Sequence, residues 1–178
     1  MNDGPRPDPY EHRANYFVGS EFLAWLWWRA VRGEGQVELP NHGHVEFWID
    51  EELMLSTPEP GGATARWTGS VPLRGPQGTS GLGSGKRVAR MRVGLRKGAF
   101  EASAVIDAQT LDLQGLKVPP TDSRDYVEKL MERIAHMETA RSIIDALFIG
   151  FLRARTHERW HEEWAPAMLE WIHQVDDE

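Results

Sequence analysis

The chain has 178 residues, the length of one domain, and its charge of −7, 40% apolar content and eight Trp argue against a disordered chain or a general nucleic-acid coat protein. It contains no cysteine, which removes a disulfide framework, a thiolate zinc site and a cysteine nucleophile. No stretch approaches the roughly 20 apolar residues of a membrane span and the N-terminus is not a basic segment leading into an apolar run, so the expectation is a cytoplasmic protein with no membrane partner.

Residues 1–16, with three prolines and several polar residues, read as a flexible N-terminal arm. A single α+β domain is expected over 17–174, with an acidic tail at 175–178. Ser20 is placed to cap a helix, Glu21 suits its positive end, and the run from Phe22 to Trp28 is apolar on nearly every face, which predicts a buried, Trp-rich helix of about four turns ending at Gly33.

From Gln36 to Pro120 the period changes to two, predicting an antiparallel sheet of about five strands. Val45, Phe47 and Ile49 alternate with Glu46, Trp48 and Asp50 behind a turn at Asn41-His42-Gly43. Ala89, Met91, Val93 and Leu95 alternate with Arg90, Arg92 and Arg96, and Lys97-Gly98 reverses the chain into Phe100, Ala102, Ala104 and Ile106. The glycine-dense stretch at 75–85 lacks P-loop spacing, since Ser80 and Arg87 stand where glycine and a hydroxyl residue are required, and it reads as a mobile loop. Asp122 or Ser123 is placed to cap a long amphipathic helix carrying Tyr126, Leu130, Ile134, Met137, Ile144, Phe148 and Phe151, broken or restarted at Pro166. The nearly all-round apolar segment from Ile143 to Leu152 calls for cover by the sheet, by the first helix or by another subunit, so a homo-oligomer or hetero-complex is expected.

Two passages, Val18-Gly19-Ser20-Glu21-Phe22-Leu23-Ala24-Trp25-Leu26-Trp27-Trp28-Arg29 and Ile106-Asp107-Ala108-Gln109-Thr110-Leu111-Asp112-Leu113-Gln114-Gly115-Leu116-Lys117-Val118-Pro119, resemble segments of long-form bacterial proteins of the recombination-associated RdgC family. With similar spacing between them, the resemblance spans residues 17–172 and points to the C-terminal module of such proteins standing alone. The resemblance implies a role in DNA transactions, with DNA binding and ring-like homodimers as the family's properties. Two departures stand out: Arg29-Ala30-Val31 replaces an acidic continuation, and the glycine-rich loop replaces a short helix.

Three sets of residues are candidates for chemistry. Lys86, Arg87, Arg90, Arg92, Arg96 and Lys97 form a basic run without an acidic residue, and Arg90, Arg92 and Arg96 on one strand face, where each two-residue step is about 6.6–6.8 Å, match the phosphate repeat of a nucleic-acid strand. Weak, non-specific DNA binding follows from that reading, while cross-strand pairing with Glu101, Glu46 or Asp50 is the structural alternative. His157-Glu158-Arg159-Trp160-His161 fits H-E-x-x-H, in which His157 and His161 would hold zinc on one helix face and Glu158 would act as base. His42 and His44, with His12 or His136, are a second metal candidate. Trp48 and Trp67 offer stacking surfaces if they share the arginines' face, or else pack as a second apolar layer, with Trp48 under the long helix. Apart from H-E-x-x-H no catalytic constellation is present and no cofactor is called for. The leading expectation is a non-enzymatic binding or assembly module of an RdgC-like system. A pure protein–protein adaptor and a zinc-dependent hydrolase are the alternatives.

Overall fold

The structure, a computed structural model, describes residues 11–57, 62–68 and 76–173. Residues 1–10 of the expected arm and the tail at 175–178 lie outside the described residues. The elements run α1 (Glu11–Val31), β1 (Gln36–Leu39), β2 (Gly43–Ser56), β3 (Thr64–Thr68), α2 (Pro76–Gly83), β4 (Arg87–Lys97), β5 (Phe100–Asp107), β6 (Leu113–Lys117), α3 (Tyr126–Thr156), a π-helical turn (Trp160–Trp164) and α4 (Ala165–His173). This is the α+β fold expected: an antiparallel sheet, here of six strands, with helices gathered on one face. Among the described residues no helix is long and apolar enough to cross a membrane.

Helix α1 explains its own composition by where it lies. Phe22, Leu23, Trp25, Leu26, Trp27 and Trp28 are all buried, because this part of α1 runs between the inner face of the sheet and the C-terminal helices. Phe22 packs edge-on to Phe148 at 5.1 Å, Trp25 meets Phe151 at 5.7 Å and Trp27 meets Trp171 at 5.3 Å. The helix includes residues from Glu11 on, nine residues before the expected cap. Ser20 is not a cap but a residue inside the helix whose hydroxyl donates to Val88 O at 2.8 Å.

The strands order as β1-β2-β4-β5-β6, with β3 pairing the second half of β2. The turn into β2 carries Asn41 and Gly43 at positive φ, and Gly98 at φ 56° makes the β4–β5 reversal. Val45, Phe47, Ile49, Leu53, Leu55, Met91, Val93, Leu95, Ala102, Ala104 and Ile106 form the inner face. One expected inward residue changes place. Leu55 pairs Val88 while Met54 pairs Arg90, so Ala89 is the extra residue of a bulge, and Val88 takes the buried position. The carbonyl freed at Ala89 accepts from Ala108 N at 2.8 Å.

The glycine-rich segment is a helix from residue 76 to 83, not the loop expected. Gly81 serves close packing: a Cβ there would stand 2.5 Å from Leu55 Cδ1 and 3.9 Å from Trp67. Burial against β2 and β3 outweighs a helix propensity that is poor by up to about 1 kcal/mol per glycine.

Asp125 is the N-cap of α3, accepting from Val127 N at 2.9 Å and Glu128 N at 3.1 Å, so the cap lies two to three residues later than expected. Ser123 supports it by accepting from Asp125 N and donating to Glu128. The helix ends at Thr156, and His157 caps it with extended backbone. Pro166 therefore breaks nothing: it sits in the first turn of α4, where its missing N–H costs little.

Candidate functional sites

The basic strand lies on the outer face of the sheet, and the register supplies each interior arginine with an acid. Arg96 stands between Glu46 on β2 and Glu101 on β5, donating to them at 3.0 Å each. Those bonds raise the Arg96 pKa, with the hydrogen bond to Glu101 the largest cause. Arg90 faces Asp107 and donates to it at 2.8 Å, and Glu52 takes Arg66 at 2.8 Å and Arg92 at 3.5 Å. Four arginines and four carboxylates thus tile the face, the cross-strand arrangement weighed above. Arg87 and the lysines Lys86 and Lys97 lie at the strand ends, and neither lysine makes an ion pair among the described residues.

Trp48 belongs to this outer face and does not pack under the long helix. Its indole covers Gly94, where a Cβ would collide with the ring, and the Arg96 guanidinium sits 5.2 Å from the ring centroid. Trp67 pairs the inward Leu53 and packs toward α2, so the two indoles lie on opposite faces and form no shared stacking platform.

The H-E-x-x-H residues do not form the helical turn their spacing suggests. His157 is the extended cap of α3, its Nδ1 accepts from Arg159 N at 3.2 Å, and its ring lies 6.4 Å from Trp164. His161 is exposed on the π-helical turn, which is wide because Ala165 N reaches back five residues to Trp160 O and lets Trp160 bury against Phe151. The break at 157–159 thus replaces the continuous helix that zinc would need. His42 bonds Ser142 at 3.0 Å, His44 bonds Glu38 at 3.3 Å and His136 lies against Phe100 at 5.8 Å, so these histidines do not converge. Among the described residues no group of three or more His, Asp or Glu is placed to hold a metal ion.

Two features escaped the sequence. The first is a cavity of about 300 Å³ between α1, β1 and α3, lined by Trp25, Trp28, Arg29, Glu34, Leu147 and Trp164. Burial pushes the Arg29 pKa down, Glu34 at 3.7 Å opposes that, and the guanidinium stacks on Trp25 at 5.0 Å. The second is the solvent face of α3. Ile143, Ile144, Leu147 and Phe151 are covered by the chain's own core, so one side of the segment that called for a partner is satisfied internally. The exposed apolar surface is Tyr126 (79%), Val127, Leu130, Met131 (62%), Ile134 and Met137 on the first half, with Ile149 and Leu152 on the other side of that same segment. Residues 124–131 are exposed all round, because α3 begins beyond the edge of the domain and only from Ala140 onward meets the core.

The two passages that carry the family resemblance meet in space: Gly19 of α1 packs directly on Ala108 in the Asp107–Leu111 turn, where a Cβ would collide with the Ala108 carbonyl. Asp107 organises that turn by accepting from Gln109 N at 2.9 Å while also pairing Arg90. No protein-family model matches the chain, and no curated protein matches it.

Proposed function

We propose that this chain is a non-enzymatic binding or assembly module of an RdgC-like system, acting in DNA transactions, phage biology or defence, with the exposed face of α3 as its working surface. The observation that carries the reading is eight large apolar side chains exposed on one helix, an arrangement that costs solubility unless another surface covers it. The family context is supported by the Gly19–Ala108 contact between the two resembling passages and by the short helix α2, which stands where the resemblance calls for one. Direct DNA contact is the weaker part of the reading, because Arg90, Arg92 and Arg96 already have carboxylate partners. Binding through the strand-end cations would be weak and lost with rising salt as few counterions are released.

The test compares wild type with Leu130→Glu/Ile134→Glu for self-association, apolar-dye binding and low-salt DNA anisotropy. Association or dye binding in wild type, reduced in the variant, supports the module. A wild type that is monomeric, binds no dye and leaves DNA anisotropy flat at tens of micromolar protein overturns it.

A further inference from the structure

The exposed face of α3 has an internal symmetry that selects its occupant. Along it lie Ile134, Met137, Arg141, Asp145, Ile149 and Leu152, at steps of three and four residues that keep them on one side of the helix. All six are exposed. Ile134 and Leu152, Met137 and Ile149, and Arg141 and Asp145 are each equidistant from Ile143. The face therefore reads apolar, apolar, cation, then anion, apolar, apolar, and turning it end for end sets cation against anion and apolar against apolar. A surface complementary to itself under a two-fold rotation is what an isologous homodimer needs.

We propose that two copies of this chain pair through α3, antiparallel, about a two-fold axis at the level of Ile143. The inference rests on the binding-module reading and names the partner of that same face. In this pairing Arg141 meets the partner's Asp145, Met137 meets the partner's Ile149 and Ile134 meets the partner's Leu152. Within one chain Arg141 and Asp145 stand 3.7 Å apart and both remain largely in solvent, so each keeps capacity for a second contact. Met137, Arg141, Asp145 and Ile149 make an i±4 ridge, the ridge used in the commonest helix–helix packing class. Beside it lies an open groove of about 490 Å³ lined by Leu39, Pro40, His42, Ile149 and Arg153, which gives a partner's side chains a place to enter.

Other arrangements of two copies fit less well. Parallel pairing sets each residue against its own copy, Arg141 on Arg141 and Asp145 on Asp145. Antiparallel pairing of the projecting first halves alone, centred near Glu132, brings Arg133 beside the partner's Arg133. The proposed axis avoids both and carries the Tyr126–Lys129 overhang past the end of the partner's helix.

The test is a charge-swap mixing experiment read by light scattering. Wild type should run at twice the 20.2 kDa chain mass. Arg141→Asp and Asp145→Arg should each weaken dimerisation by about a hundredfold or more, since each sets like charges together at two symmetry-related places. Mixed one to one, the two variants should re-form a dimer containing one of each, because both cross-chain pairs are then opposite in sign. Loss of the intrachain pair cannot produce that rescue, and circular dichroism establishes that both variants are folded. A monomeric wild type, a dimer indifferent to both reversals, or folded variants that do not reassociate on mixing each overturn the pairing. A monomer that nevertheless binds DNA or apolar dye overturns the pairing while leaving the binding-module reading intact.

Discussion

Replacing Gly19 by alanine sets two effects of known sign against each other. Inside a helix alanine is favoured over glycine by about 0.8–1 kcal/mol, so propensity alone makes Gly19→Ala stabilising. The structure makes the opposite demand: the added methyl meets the Ala108 carbonyl far inside the 3.0 Å limit that real Cβ atoms respect, and the obstacle is backbone rather than a flexible side-chain end. Either α1 or the 107–111 turn must move. Forced overpacking costs about 1–3 kcal/mol. The same movement strains the buried bond from Ser20 Oγ to Val88 O, worth about 1 kcal/mol. With propensity offsetting about 1 kcal/mol, the net expectation is a loss of about 2 kcal/mol, or about 4–8 °C in Tm for a domain of this length. Urea unfolding followed by tryptophan fluorescence measures it. A Gly19→Ala protein as stable as wild type, or more so, would show that α1 and the turn are not in close contact and would refute the packing described.

Gly94→Ala should displace the Trp48 indole from the sheet, changing its fluorescence and costing about 1–3 kcal/mol, because the new methyl occupies the ring's position. Asp125→Ala should remove about 1 kcal/mol and increase amide exchange in the first turns of α3, where the cap holds two N–H groups. Arg90→Glu/Arg92→Glu should lower stability by about 1–2 kcal/mol, since both new carboxylates face existing ones at Asp107 and Glu52. Any accompanying loss of DNA binding has to be compared with Lys86→Glu/Lys97→Glu, which breaks no ion pair among the described residues. Metal analysis after purification should find no stoichiometric zinc, and His161→Ala should leave stability unchanged; one equivalent bound tightly and lost in that variant would restore the hydrolase reading.

Much of the fold was legible because its signals are local. Period-two alternation located β2, β4 and β5, and a helix apolar on every side could only be an interior one. What was not legible depends on contacts between distant residues. The Ala89 bulge shifts the inward phase of β4 by one residue and follows from α1 and the Ala108 turn claiming the carbonyls of Val88 and Ala89. Gly81 of α2 looks like a linker residue until Leu55 is seen filling the space its side chain would need. The basic run looked like a polyanion track for a similar reason. Its neutralising acids come from β2 and β5, and only the register shows that Glu46 and Glu101 flank Arg96. The break at His157 was hidden because a helical period continues through Trp160, Trp164 and Met168 on either side of an irregular turn.

The exposed face of α3 was half visible. The apolar stripe of α3 could be read, but which part of it the chain itself covers could not, and only one side of the segment that looked most in need of a partner proved to be core. The most direct test of the α3 surface uses the absence of native cysteine. Single variants Met137→Cys and Ile149→Cys, mixed and mildly oxidised, should form a disulfide-linked dimer of one copy each much faster than either variant does alone, because only that pair is brought opposite across the two-fold axis. Equal slow cross-linking in all three samples, or faster linking of Met137→Cys to itself, would contradict the account.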